Sequence, residues 1–336
     1  MFIGVDHGTR AIRLANTEGK CFIIPRAEAG LLAPSKIAGR IREAFDLAPG
    51  TGGGSDGDGD GDGSGAGRAE KVELLALCYS MGDGISEIVR IEDAENRGVI
   101  SQDGAGLHVG GGTNVFDAVL AARWPAILLP GIHDRSDIDP RMRVFSHGAS
   151  PEKVGLAYKV RRDGPEDFII SDASSNVVTI GVVDGRIVGA IDAPIFAPGL
   201  LHGPLDVAAI RAVDAGKTTA NEAFTRGGIL RKRGLTLKGC TPEEKEAAFE
   251  ALALYAAMEI AAMAVLLRDQ GAAKPALYLA GDPASRIVRR VSGLLGREVL
   301  ALAGCDAALG CALIAEDVYK GAREVLGIGV DGRVRW

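Results

Sequence analysis

One repeat constrains this chain more than any other feature. Residues 2–24 read FIGVDHGTRAIRLANTEGKCFII, and residues 168–193 read FIISDASSNVVTIGVVDGRIVGAIDA. Each copy is an apolar strand ending in an aspartate, a polar turn, a second strand, a tight turn and a third strand. Asn16-Thr17-Glu18-Gly19 closes the first hairpin and Asp184-Gly185 the second, through residues that tolerate positive φ. Alternating helical and strand-like segments follow each copy. A repeat of this size in a 336-residue chain predicts two similar α/β domains facing each other, with a ligand cleft between them.

The intervening segments fit that plan. Apolar runs at 72–79, 126–129 and 276–280 suit buried strands. Helical spacing marks 35–47, 115–123, 151–161, 206–214, 218–226, 283–295 and 307–320. Thr241 and Glu244 form a capping box before a long helix reaching about Arg268. Its apolar core, ALALYAAMEIAAMAVLL, contains Glu259 and falls short of a membrane span, so a buried helix is expected. A short strand at 298–301 and a closing hairpin with an Asp-Gly turn, VLGIGVDGRVRW, complete the chain. Residues 49–67 are Asp and Gly with no large apolar group, which predicts a flexible surface loop without a calcium site.

Charge and cysteine usage narrow the function classes. A net charge of −6 argues against a nucleic-acid or anionic-membrane partner. The five cysteines form no C-x-x-C pair, so neither a disulfide framework nor a zinc site is expected, and a reducing cytoplasm fits best. The strand-like start at Phe2 predicts no secretory signal.

Three turns carry the candidate chemistry. In GVDHGTR, Asp6 ends a strand and is placed to hold Mg²⁺ through water. Gly8 admits backbone N–H groups close to an anion, Thr9 adds a hydroxyl donor, and Arg10 neutralises phosphate. In SDASSN, Asp172 repeats the role of Asp6 as a metal ligand or general base, and Ser174, Ser175 and Asn176 offer side-chain donors in a turn without glycine. In YLAGDPAS, Gly281 and Asp282 link a buried strand to a helix, where nucleotides approach strand ends. Any one of these turns alone is equally an ordinary hairpin or strand–helix junction.

Together, in this order, they resemble the phosphate and adenosine motifs of the actin-like ATPase superfamily. AALGCALIAEDVYKG, residues 307–321, is similar to its second connecting helix, where Ala308, Gly310 and Ala312 permit close crossing. GGTNVFDAV at 111–119 resembles an element of butyrate and acetate kinases. The stretches FIGVDHGTRAIR, VGGGTNVFDA, ILLPGIH, HGASPEKVGLAY, SDASSNVVTIGV and PGLLHGPLDVAAIR resemble the archaeal methanogenesis marker protein twelve family. The resemblance implies duplicated ribonuclease H-like domains, 1–162 and 163–336, and a cleft for ATP or ADP with Mg²⁺. It implies a cytoplasmic protein, compatible with a homodimer, in one of two roles. One is a phosphotransferase acting on a small carboxylic acid. The other is a non-catalytic nucleotide-binding protein with a partner in the methanogenesis machinery. For phosphoryl transfer, His147, His202 and Arg211 are candidates to stabilise the transition state beside Asp172. Gly110, Gly111, Gly112 and Thr113 at a helix start, with Arg135, are candidates to bind substrate. A loop histidine, a surface ion pair or a flexible helix start explains each of these equally well.

Overall fold

The computed structural model describes residues 1–48, 70–78, 84–94 and 111–336. The Asp/Gly stretch at 49–67, Tyr79 and Gly110 lie outside these described residues.

The first copy of the repeat forms β1 (Phe2–His7), β2 (Ala11–Asn16) and β3 (Cys21–Pro25), all antiparallel. Helices α1 (Arg26–Leu31) and α2 (Pro34–Ala44) follow, then β4 (Leu74–Cys78), β5 (Val89–Arg90), α3 (Gly112–Ala121) and β6 (Ala126–Leu129). The sheet order is β3-β2-β1-β4-β6-β5, with β1, β4 and β6 parallel. A small β7 (Ile132–His133) and β8 (His147–Ala149) pair precedes α4 (Pro151–Arg162).

The second copy forms β9 (Phe168–Ala173), β10 (Val177–Val183) and β11 (Arg186–Ile191). Short helices α5 (Val207–Asp214), α6 (Ala220–Thr225) and α7 (Ile229–Lys232) lead to α8 (Pro242–Asp269). Then come β12 (Ala276–Ala280), α9 (Ala284–Leu295), β13 (Leu300–Ala301), α10 (Asp306–Tyr319) and the hairpin β14 (Glu324–Val325) and β15 (Ile328–Gly329). This sheet runs β11-β10-β9-β12-β13, with β12 and β13 parallel to β9. Both sheets therefore place the third, second and first hairpin strands in line, then parallel strands on the far side of the first. That shared order is the duplicated ribonuclease H-like arrangement of the actin-like ATPase fold.

Three apolar layers hold the two sheets. On the outer face of the first, α2 and α3 cover Ile3, Val5, Leu75 and Leu77. On the outer face of the second, α8 and α9 cover Ile169, Val177 and Leu279. The middle layer joins the sheets through α4 and α10, which pack on Leu74, Ala76, Phe168 and Ile180. Being covered on both faces, β4 and β10 are buried throughout, which explains their unbroken apolar runs. Helix α10 comes from the C-terminal half but packs on β1, β2 and β4 of the first sheet and on α4. The crossing is backbone against backbone: a Cβ on Gly310 would lie 1.8 Å from the Gly155 carbonyl oxygen.

Local signals acted as their chemistry requires, with three corrections. Asp184 and Gly185 both adopt positive φ, as the expected primed turn needs, and Thr241 with Glu244 caps α8. The closing hairpin, however, turns at Leu326-Gly327, both at positive φ, while Asp331 binds Arg333 instead. Helix α2 runs from Pro34 to Ala44, beginning one residue before and ending three before the helix expected over 35–47. The third correction concerns cysteine. Cys21 on β3 and Cys305, just before α10, form a disulfide, although no disulfide was expected from their spacing. The partners are 284 residues apart in sequence, and only the return of α10 to the first sheet brings them together. Cys78 and Cys311 are buried free thiols with sulfurs 3.2 Å apart. By length and composition α8 could cross a membrane, but Leu252, Ala256, Ile260 and Met263 are buried against the second sheet.

Candidate functional site

The ends of β1, β9 and β12 open on one cavity of about 540 Å³ between the two domains. Strand β1 delivers Asp6, which is only 4% exposed. Arg26 donates to the carbonyls of His7 (3.0 Å) and Gly8 (3.1 Å), bracing the turn after β1. From β2, Arg13 lies 3.7 Å from the Asp6 carboxylate and 3.2 Å from Asp282, and Arg10 lies 3.5 Å from Asp282. These arginines link the first turn to the turn after β12 across the domain boundary.

Register pairs Ala280 with Asp172, so the turn after β12 sits directly beside the second aspartate. Gly281 has φ +100°, and a Cβ there would lie 2.6 Å from the Ala173 carbonyl oxygen and 2.8 Å from Asp172 Oδ1. Only glycine fits this junction. The other Asp172 oxygen, Oδ2, accepts from Lys153 Nζ at 2.7 Å, and the same ammonium lies 3.1 Å from Glu152. Glu152 also accepts from the Ser150 hydroxyl at 2.6 Å. Both charged residues sit in the first turn of α4, so the helix joining the domains reaches into the cavity.

Burial dominates the electrostatics. It pushes Asp6 up to about 7, with Glu152 adding to the shift and Lys153 and Arg13 opposing it. Burial and then Arg26 depress His7 to about 3, so that imidazole is neutral. Burial works against the Lys153 ammonium, but Asp172 and Glu152 hold its pKa above the ordinary lysine value. For Glu152, Lys153 and Ser150 overcome burial and keep the carboxyl below its ordinary value.

The turn Ala173–Asn176 is clasped by a second loop. The N–H groups of Leu201 and His202 donate to the Ser175 carbonyl, and that of Leu200 donates to the Ser174 carbonyl. A Cβ on Gly199 would lie 2.3 Å from Asn176 Cα. The glycine missing from the turn thus stands in the segment packed on it. This clasp buries His202, a residue of the cavity lining, to 3% exposure against Phe224, and its buried Nε2 has no hydrogen-bond partner.

Asp6, Gly8, Thr9, Arg10, His147, Asp172, Ser174, Ser175, Asn176, His202, Gly281 and Asp282 all line this cavity. The remaining candidates do not. Arg211 lies on the exposed side of α5, and Arg135 is exposed after β7, where its backbone N–H donates to His133 Nδ1. Gly111, Gly112 and Thr113 begin α3 against α1. Asn114 Nδ2 donates there to the carbonyls of Ala29, Gly30 and Leu32, so the glycines let two helices dock. Sequence reasoning missed Lys153, Glu152, Arg13, Arg26 and Asp192, all of which line the cavity. A signal for the first two existed: SPEK is a charged first turn on a helix that continues apolar and small, VGLAY.

Whether Mg²⁺ and nucleotide fit can be tested on orphaned atoms. Asp6 Oδ1 and Asp172 Oδ1 are buried without a hydrogen-bond partner. Among the described residues, no group of three or more His, Cys, Asp or Glu side chains could hold a metal. Two separate carboxylates with free oxygens suit a cation that keeps water and shares its shell with phosphate, not one caged by protein.

A cleft of this kind, between duplicated domains and at the ends of β1, β9 and β12, defines an actin-like ATPase-fold protein. Sequence comparison places the chain more narrowly: it belongs to the UPF0285 protein family. It is 45% identical to the UPF0285 protein of Methanosarcina mazei, over 98% of this chain and 99% of that one. It is 42% identical to the UPF0285 protein of Methanocaldococcus jannaschii, over 78% and 85%. No protein-family profile matches it. Among solved structures, Entamoeba histolytica acetate kinase is similar with a TM-score of 0.49, 10% identity and coverage of 87% and 85%. A Streptomyces griseus ROK family glucokinase, solved with glucose and AMPPNP, has a TM-score of 0.47, 15% identity and coverage of 94% and 99%. The fold assignment rests on the strand order itself.

Proposed function

We propose that the cleft binds a nucleoside di- or triphosphate with Mg²⁺ and supports phosphoryl transfer. The observation that carries this reading is the pair of orphaned oxygens on Asp6 and Asp172, set on the two domains' repeated strand ends around one cavity. Asp6 and Asp172 would hold the Mg²⁺, which when bound neutralises phosphate charge. Gly8 and Thr9 present backbone and hydroxyl donors to phosphate, Arg10 and Arg13 add positive charge, and Ser174, Ser175 and Asn176 add donors from the facing turn. Gly281 and Asp282, at the end of β12, line the same cavity and would meet the nucleoside. Lys153 is placed to exchange Asp172 for a phosphate oxygen. The resemblance to the methanogenesis marker protein twelve family, and relatives in Methanosarcina and Methanocaldococcus, support a role in methanogenesis.

Calorimetric titration with ADP and MgCl₂ tests the reading. The wild type is expected to bind, and Asp6→Ala is expected to lose at least about tenfold in affinity, or 1.4 kcal/mol. No binding by the wild type, or equal binding by both proteins, would refute it. A second reading, nucleotide binding without turnover, is favoured by the Lys153–Asp172 pair, which already neutralises the second aspartate. Binding with no Mg²⁺-dependent turnover would select it.

A further inference from the structure

Helix α8 turns one face to the second sheet and leaves the opposite face open to solvent. Along that outer face Ala247, Ala251, Leu254, Met258, Ala261 and Val265 follow one another at alternating steps of four and three residues. Leu254 is 46% exposed, Met258 44% and Val265 63%. From Ala251 to Leu267 the one charged residue is Glu259, and it is buried on the inner face against Thr179. An apolar repeat averaging 3.5 residues is the seam of helix-on-helix packing, and here the seam faces outward. Ion pairs Glu246–Arg286 and Glu250–Arg290 set α9 beside α8 at a constant offset. One turn further along, the exposed Leu294 comes level with Leu254 and widens the patch.

We propose that this face binds the same face of a second copy of the chain, with the two α8 helices antiparallel. Size complementarity favours that occupant. Turned end for end about a two-fold axis near Glu259, the seam sets Leu254 level with Val265 of the second copy, and Met258 level with Ala261 of the second copy. Large side chains then meet smaller ones, and the alanines admit close approach.

Charge points the same way. Glu250 and Arg268 are about five helical turns apart, so they leave α8 on the same side. The two-fold axis lays Arg268 of one copy over Ala251 of the other, beside Glu250 of that copy. Arg268 is exposed and, among the described residues, makes no ion pair within its own chain. Docking on an anionic lipid surface would need basic residues around the stripe. The helix opens instead with Glu243, Glu244, Glu246 and Glu250 against Lys245 alone. A seam about 30 Å long with Leu294 at its rim buries roughly 1,000 Å² in total, the low end for a specific dimer, so association in the micromolar range is expected. None of the seam residues lines the cavity, so pairing can be broken without touching the cleft.

Sedimentation velocity of the full chain from about 1 to 200 μM tests the inference, and a monomer–dimer equilibrium is expected. Met258→Glu and Val265→Glu alter exposed positions, so their circular dichroism should match the wild type. Each should weaken the dimer at least about tenfold while MgADP affinity stays within about threefold of the wild type. Arg268→Glu should also weaken it and reduce its dependence on salt. For orientation, Leu254→Cys and Val265→Cys proteins are mixed and oxidised with copper phenanthroline, with the wild type as blank. A covalent dimer joining the unlike variants is expected, and little from either variant alone. Monomer up to the highest concentration, a dimer indifferent to Met258→Glu and Val265→Glu, or cross-links between like positions overturns the inference. A monomer that sediments with phosphatidylglycerol vesicles, and loses them on Met258→Glu, also overturns it and assigns the face to lipid.

Discussion

Asp6→Asn should stabilise the ligand-free protein and cripple its binding of Mg²⁺ and nucleotide. Asp6 is raised from 3.8 to about 7, chiefly by burial, which makes its ionisation in the fold unfavourable by about 4 kcal/mol. The sign follows from proton counting. Between these two values the native state holds a proton that the unfolded state has released, so stability falls as pH rises and levels off above about 7. Asparagine occupies nearly the same space without a charge, so the variant lacks this loss. Its stability advantage should be about 3 kcal/mol larger at about pH 8 than at about pH 5. His7 titrates with the opposite sense, since its pKa falls from 6.5 to about 3, but it is common to both proteins and cancels in the difference. Urea denaturation of both proteins at the two pH values measures the effect, and calorimetry with MgADP measures the accompanying loss of affinity. A stability difference that does not change with pH would refute the burial argument. So would a variant that is stabilised yet binds MgADP normally, because Asp6 would then be a buried acid with no ligand to serve.

Other perturbations test the remaining links. Lys153→Met leaves Asp172 and Glu152 as partly buried carboxylates without their shared cation, and should cost about 1–3 kcal/mol in chemical denaturation. Adding Asp172→Asn and Glu152→Gln should restore much of that loss; no recovery would mean the lysine acts through packing. Gly281→Ala combines φ +100° with a 2.6 Å approach to the Ala173 carbonyl, and should cost about 1–3 kcal/mol along with nucleotide affinity. Cys21→Ser removes a link spanning 284 residues and should lower stability by about 2–4 kcal/mol under oxidising conditions. With dithiothreitol present, the variant and wild type should melt together in calorimetry.

The fold was legible because its hardest feature, duplication, is written in local patterns. Period-2 and continuous apolar runs mark β1, β9, β10 and β12, and turn residues mark the hairpins, so both sheets could be anticipated from short windows. Errors came where a residue's role is set from elsewhere. Cys21 and Cys305 meet only because α10 crosses back to the first sheet, and no spacing rule spans 284 residues. Leu326 takes a positive φ that leucine disfavours, with Gly327 after it and Arg186 packed against that glycine, so the turn falls five residues before the Asp-Gly pair that local chemistry favours.

The site was legible along its strands and hidden along its helices. Asp6 and Asp172 could be found because strand ends project into the cleft of this architecture, and each copy pointed to the other. Lys153 could not be found that way, because a lysine at the start of a helix reads as a solvated end. What makes it part of the site is that α4 and α10 cross closely at Gly155 and Gly310, bringing the first turn of α4 into the cavity. The glycine-free turn at 173–176 shows the same dependence. Taken alone, Ala-Ser-Ser-Asn is a poor phosphate loop, since the positive φ that such loops use favours glycine. In the fold its carbonyls are held by N–H groups of the 199–202 loop, and the glycines needed for close approach are Gly199 and Gly281, on the two segments packed against it. The second copy therefore keeps a rigid, close-packed turn, but distributes among three segments of chain what the first copy keeps in one.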